Sequence, residues 1–359
     1  MNIALEEEIL CFLQQPDEEK FEAIALRLYE HQKSRNPAYS RYCEFLGQSA
    51  LIDSWKKIPA VPQQAFKYSE LRSFPANKTA AEFRTSGTTG QGFGSHFLGS
   101  LRLYQTAVQK GWDYFDLPRH PLILLMQHPE KAEFSSLSRM GGILSNYRSD
   151  SFYVNSEGVV EVDRLRTFLW NRADPVTLFG PALAFLNLLE EISDLPLPPG
   201  SIIMETGGFK GMDREIGKGD LYARLSRCFR IEVDFIWNEY GMTELSSQFY
   251  SRGVGQPHFA TPWLRFLVIN PTTNSEASPG EVGLLRIFDL ANLWSVQVVQ
   301  TQDLAVAQPG GGFLLLGRDP AALPRGCSRS MDELIQHGTS IKREQQGICL
   351  ALDASVESR

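Results

Sequence analysis

Thirteen consecutive residues, TSGTTGQGFGSHF from Thr85 to Phe97, hold five serine or threonine hydroxyls and four glycines. Glycine allows a backbone to approach a ligand closely and to adopt positive φ. A run of N–H groups in such a turn forms an anion-binding nest, to which short hydroxyls add donors without bulk. The chemistry this suits is the gripping of phosphate. A flexible Gly/Ser/Thr linker has the same composition, so the stretch gains meaning only from its companions. No GxxxxGK[ST] and no GxGxxG occurs, which sets aside the commonest nucleotide loops.

Four further stretches follow in order: ETGGFKG from Glu205, NEYGMTE from Asn238 to Glu244, QTQDLA around Asp303 and LLLGRDP around Arg318. With TSGTTG they resemble the adenylate-forming superfamily of acyl and aryl ligases, luciferases and peptide-synthetase adenylation domains. The resemblance implies that Thr85, Ser86, Gly87, Thr88, Thr89 and Gly90 hold the phosphates of ATP. It implies that Gly207, Gly208 and Tyr240 frame adenine, that Asp303 holds the ribose hydroxyls, and that Arg318 lies in a hinge strand. Thr243 and Glu244 would bind phosphate and Mg²⁺, with Glu244 as the metal ligand. Each residue also has a plainer reading: Glu244 as a carboxylate at a helix N-terminus, Tyr240 as core, Asp303 in a turn, Arg318 at a solvated strand end. The sequence departs from the family pattern in lacking the Pro-Lys pair after the phosphate loop and in carrying Gln302 where the family has glycine.

Within that superfamily, IPAVPQQAFK, SSLSRM, LFGPALAFL, GGFKG and LGRDPAALPRGCS resemble the short acyl-protein synthetases of the LuxE type and related phenylacetate-CoA-ligase-like proteins, over about Ile58 to Cys327. The implied reaction joins a carboxylate to AMP and passes the acyl group to a protein, a carrier or a small acceptor, with a fatty or an aryl acid as substrate. The mobile domain that carries a catalytic lysine in most of the superfamily is expected to be missing or reduced to the last 40 residues. Lys210, Arg214 or Lys342 would then supply that cation. The resemblance implies an acyl carrier in Cys349, with Cys327 as the alternative; CLALD reads equally as a strand in which Cys349 is a small apolar residue. An acyl-acceptor protein such as a reductase is the expected partner. A second reading is a non-catalytic or partner-dependent nucleotide-binding subunit.

The elements that must position these residues are legible from periodicity. Ile9, Phe12, Leu13, Phe21, Ile24, Ala25 and Leu28 recur at helical spacing and predict two helices broken at Gln15-Pro16-Asp17, with a third from Tyr39 to Phe45. IPAVPQQAFK reads as an extended lead-in. PLILLM, VTLFG, SIIMETGG and IEVDFIW read as buried strands alternating with helices such as LRLYQTAVQKGWDYF and PALAFLNLLEEI, as in a doubly wound sheet. WLRFLVIN, EVGLLRIFDL, VQVVQTQDLA and GGFLLLGR predict a smaller β-rich lobe. The expected fold is α/β, the large N-terminal domain of an adenylate-forming enzyme, divided into a helical segment 1–57, an adenylation core 58–256, a β-rich lobe 257–319 and a vestigial segment 320–359.

Composition narrows the remaining classes. At 359 residues, 43% hydrophobic and 21% charged, the chain is an ordinary globular protein. A net charge of -7 gives no general attraction to nucleic acid or anionic membranes. The acidic start MNIALEEEIL is unlike a signal peptide, and no apolar run approaches the roughly 18 residues of a membrane span, so a cytoplasmic protein is expected. Five scattered cysteines form no CxxC pair. His96, in the tail of the loop, is read as a phosphate or carboxylate contact or as a hydrogen-bonded structural histidine.

Overall fold

A computed structural model describes residues 3–47, 52–85, 93–207 and 217–318. The apolar spacing of the first 45 residues becomes α1 (Ile3–Gln14), α2 (Phe21–Arg35) and α3 (Pro37–Phe45). The break falls at the expected place because Asp17 accepts the N–H of Glu19 at 3.2 Å and starts a 3₁₀ turn that leads into α2. Asn36 caps α3 by accepting the N–H of Tyr39 at 3.1 Å, with Pro37 at the first helical position. Ile9, Leu13, Phe21 and Leu28 are fully buried, each contributing about 2 kcal/mol of apolar burial.

The proline-rich lead-in supplies β1 (Val61–Pro62) and α4 (Ala65–Tyr68). Next comes an antiparallel hairpin of β2 (Ala81–Arg84) and β3 (Ser95–Leu98), which closes the hydroxyl-rich loop, and then α5 (Arg102–Tyr114). The central sheet contains β4 (Leu122–Leu124), β5 (Thr177–Pro181), β6 (Ile202–Thr206) and β7 (Ile236–Tyr240), all parallel, with β8 (Phe249–Arg252) antiparallel at one edge. Its crossovers carry α6 (Ser136–Leu144) and α7 (Val162–Leu169), then α8 (Ala182–Glu191), then α9 (Lys218–Phe229).

Strand order runs straight from β4 to β8, so the sheet lacks the reversal of a doubly wound one. Side chains alternate between its faces. Ile123, Leu178, Ile203 and Ile236 pack under α7, α8 and α9, whereas Leu124, Phe179 and Met204 join the larger core shared with the N-terminal helices and the β-rich lobe. IEVDFIW is not one strand. Arg230 takes a left-handed conformation (φ 52°) to end α9, Val233–Phe235 form a 3₁₀ turn, and β7 begins only at Ile236. The short link from helix to strand demands that turn, and β7 therefore runs into the NEYGMTE motif itself.

The β-rich lobe contains β9 (Leu264–Ile269), β10 (Gly283–Asp289), β11 (Val298–Ala307) and β12 (Phe313–Arg318). β11 pairs antiparallel with β10 and β12 and, across 238 positions, parallel with β1, where Val61 faces Val299. The buried Gln32 amide ties α2 to the lobe, donating to the Asn292 carbonyl at 2.8 Å and accepting the Gln297 N–H at 2.9 Å.

Candidate active site

β5, β6 and β7 all end at a cavity of about 880 Å³, lined there by Pro181, Thr206, Gly207 and Glu239. Carboxyl ends of parallel strands are where α/β sheets hold ligands, because the loops that leave them are free to shape a site. The cavity is closed by Arg84 and Thr85 at the end of β2, by Ser135 and Ser136 at the start of α6, by Lys67 of α4, and by Gln302 and Arg318 of the lobe. Thr243 and Glu244 line it from the segment that follows β7.

That segment has little regular structure of its own, and buried polar groups hold it from outside. The Thr243 carbonyl accepts from His96 Nδ1 at 2.8 Å, and the Glu244 carbonyl accepts from Asn292 Nδ2 at 2.8 Å. Asp289, fully buried, accepts the N–H groups of Ser246 and Ser247 at 2.8 and 2.9 Å and the Ser247 hydroxyl at 2.7 Å. Because a carbonyl only accepts, His96 carries its proton on Nδ1. Burial lowers the His96 pKa to about 4 against the opposing bond to Thr243, so the ring is neutral near pH 7. His96 is thus a structural histidine that places Thr243. Burial raises Asp289 to about 6, opposed by its four hydrogen bonds.

Thr85 pinches the stem of the hydroxyl-rich loop, its Oγ1 accepting the Gly94 N–H at 2.7 Å and its own N–H reaching the Gly94 carbonyl at 2.9 Å. The neighbouring Arg84 guanidinium lies 3.5 Å from the ring centre of Phe134 and is paired with Glu82 at 2.8 Å. Gly207 has φ +81°, a conformation costly for other residues, where β6 turns into the glycine-rich segment. A Cβ on Gly241 would stand 2.5 Å from Glu239 Oε1.

Tyr240 is buried, packed edge-on against His258 and Phe313 and tilted against Phe249, with its hydroxyl donating to Asp303 Oδ2 at 2.7 Å. Asp303 and Arg318 face each other across β11 and β12, with Nε 3.6 Å from Oδ1. Glu244 is buried to 3% exposure on the cavity wall. Its carboxylate suits Mg²⁺, which takes one or two carboxylates and completes its shell with phosphate oxygens and water. Among the described residues no cluster of three or more metal-ligating side chains occurs.

The structure therefore brings Thr85, Gly207, Thr243 and Glu244 to one cavity, with Arg318 at its edge and the Tyr240–Asp303 pair behind it. Ser86, Gly87, Thr88, Thr89, Gly90, Gly208, Lys210, Arg214, Cys327, Lys342 and Cys349 lie outside the described residues. Residues without a role assigned from sequence include Glu239, buried and bonded by the Thr206 hydroxyl, with a pKa raised to about 7 by burial and, less, by the nearby Glu205 charge. Lys67 and Arg84 are others. Asp289 carried one signal, a carboxylate inside the apolar run RIFDLANLW, where an isolated charge marks a buried polar role.

The fold is that of adenylate-forming ligases. A 2-hydroxyisobutyryl-CoA ligase, solved in an open conformation with 2-HIB-AMP and CoA, superposes with a TM-score of 0.61 at 12% identity, covering 84% of this chain and 71% of that one. The same ligase in its postadenylation state gives 0.60. ATP-bound MatB from Rhodopseudomonas palustris matches more loosely, with a TM-score of 0.48 and 16% identity over 68% of this chain, which spans about half (49%) of that structure. The family model for acyl-protein synthetase, LuxE, matches residues 3–336, and the chain belongs to that family. The long-chain-fatty-acid–luciferin-component ligase of Aliivibrio fischeri is 21% identical over 357 residues, 91% of this chain and 93% of that protein. Family and fold make this protein an ATP-dependent, AMP-forming ligase that activates an acyl group for transfer to a protein.

Proposed function

We propose that the cavity adenylates a long-chain fatty acid and that the acyl group then passes to a thiol, first on this chain and then on a partner protein such as a reductase. The observation that carries the reading is the Thr243–Glu244 segment, with Glu244 buried, clamped by His96, Asp289 and Asn292 beside the stem of the phosphate loop. The name of the Aliivibrio relative supports a fatty acyl substrate. So does an apolar share of the wall that includes Phe134, Leu137, Met140 and Leu183.

In the first step a carboxylate oxygen attacks the ATP α-phosphorus, the bond to the β-phosphate oxygen breaks, and pyrophosphate leaves. Residues Thr85 to Gly90 hold the phosphates, Gly207, Gly208 and Tyr240 frame adenine, Asp303 accepts from the ribose, and Arg318 braces Asp303. Glu244, with Thr243 beside it, would hold Mg²⁺, which neutralises charge on the phosphates. Lys210 is assigned to the substrate carboxylate. In the second step a thiolate, assigned to Cys349, attacks the acyl carbon and AMP departs. Catalysis rests on positioning and charge stabilisation. No described helix is long and apolar enough to cross a membrane, which suits a cytoplasmic location.

The test is ATP–pyrophosphate exchange with Mg²⁺ and a panel of fatty and aryl acids. Exchange should depend on a long-chain fatty acid and fall roughly a hundredfold or more in Glu244→Ala. Exchange with aryl acids alone would replace the substrate class. ATP binding without exchange would favour the non-catalytic subunit, the reading suggested by Gln302 in place of glycine.

A further inference from the structure

A second cleft, of about 550 Å³, lies at the opposite edge of the central sheet, where His120, Pro121 and Leu122 lead into β4. Its charged lining is Arg119, Arg148, Arg172 and Asp150, a formal balance of three positive against one negative, in a protein whose net charge is -7. Arg119 is also paired with Asp113 and Arg148 with Asp150. Arg172 has no such pairing among the described residues. Its guanidinium lies 4.5 Å from the ring centre of Phe168, and its buried Nε meets no hydrogen-bond partner. The buried Nδ1 of His120, on the same cleft, is likewise without one.

Two buried nitrogens left without a hydrogen-bond partner are unfavourable unless something meets them. The final turns of α6 and α7 also face the cleft, at Leu144 and Phe168. Their roughly half-unit negative partial charges bear on the one positive charge, that of Arg172, left over after the Arg119–Asp113 and Arg148–Asp150 pairs. The carbonyls at the end of α6 are moreover engaged, those of Gly141 and Gly142 accepting the N–H groups of Ser145 and Tyr147. What remains is a guanidinium, that of Arg172, with no acidic partner among the described residues.

We propose that this cleft is a binding site for a compact, multiply charged oxyanion, a phosphate or a polycarboxylate group of a small molecule, separate from the nucleotide cavity. Arg172 Nε donates to it and Phe168 fixes the plane of the guanidinium. His120 Nδ1 becomes a second donor when the anion draws a proton onto the ring. In the ligand-free ring burial lowers the His120 pKa, opposed by a backbone hydrogen bond at Val176, so an anion supplies the charge partner the imidazolium lacks. The cleft and the nucleotide cavity lie at the two ends of α6, which contributes Ser136 and Leu137 to one and Leu144 to the other.

The experiment uses the full chain labelled with ¹⁵N-histidine, titrated with inorganic phosphate and separately with citrate, against sodium chloride at equal ionic strength. The His120 Nδ1 resonance should move saturably toward the imidazolium position with one or both oxyanions. The arm that saturates at lower concentration names phosphate or carboxylate. Arg172→Leu should weaken that binding about tenfold or more while leaving ATP–pyrophosphate exchange unchanged. If that variant does not fold, His120→Asn, followed by calorimetry, should show the same loss. A His120 response no larger than that to chloride, or equal affinities in wild type and variant, would overturn the proposal.

Discussion

Asp303 is held by two neighbours of opposite character, the Tyr240 hydroxyl at 2.7 Å and the Arg318 guanidinium at 3.6 Å. A hydrogen bond to a carboxylate contributes about 1.5–3 kcal/mol when both groups are desolvated, and Asp303 keeps partial exposure, 15% of its side chain. The lower end applies. If Asp303 receives the ribose, Tyr240→Phe should weaken ATP about fivefold by letting the carboxylate turn, and Asp303→Ala should weaken it further. Equilibrium binding of ATP measures both. An unchanged affinity in Asp303→Ala would remove the ribose role.

Loop and strand meet in Asp289, the last residue of β10, which accepts three backbone N–H groups and one hydroxyl. Removing its carboxylate strands Ser246, Ser247 and Ala291 donors in a dry site. Asp289→Ala is expected to lower stability by about 3 kcal/mol and to reduce exchange more than ATP binding, since it frees the segment that carries Glu244. Urea unfolding and exchange assays on one preparation separate the two effects. Between neighbouring strands the constraint is steric: a Cβ on Gly180 would come 2.6 Å from the Leu125 Cβ. Gly180→Ala should therefore cost about 1–3 kcal/mol, read as a lower urea midpoint with an unaltered slope.

Buried titrating groups oppose one another across the protein. The Glu239 pKa is raised from 4.5 to about 7, chiefly by burial, and that of Asp289 from 3.8 to about 6. A raised acid binds its proton more tightly when folded, so its contribution is present at low pH and lost as pH rises through the folded value. His96 and His258 are lowered by burial to about 4 and about 3. Their contribution is present above pH 6.5 and lost as pH falls. Between about pH 4.5 and 6 the two pairs act in opposite directions and largely cancel. Glu239→Gln removes one of the acids, so its unfolding free energy, relative to wild type, should climb between pH 4.5 and 7 by up to about 1.4 kcal/mol per pH unit. Parallel pH profiles would show that Glu239 keeps an ordinary pKa.

Local chemistry was readable from the chain. Glycines and hydroxyls adjacent in sequence gave TSGTTG, ETGG and YGMTE their reading as ligand-binding segments, whose described residues Thr85, Gly207, Thr243 and Glu244 line one cavity, and helical spacing announced α1 to α3. The clamp was not readable. His96 reaches Thr243 across 147 positions and Asn292 reaches Glu244 across 48, and no local pattern encodes a pairing between segments that meet only when the core closes. The same holds for β1, whose two residues resemble a loop until β11 offers them hydrogen bonds, and for IEVDFIW, whose apolar run suggested a strand until the turn out of α9 claimed its first half. Residue types and short spacings state what a segment is able to do; the packing that buries Asp289, Asn292 and His96 determines where Thr243 and Glu244 stand, because a buried polar group must find its partner wherever the fold puts one.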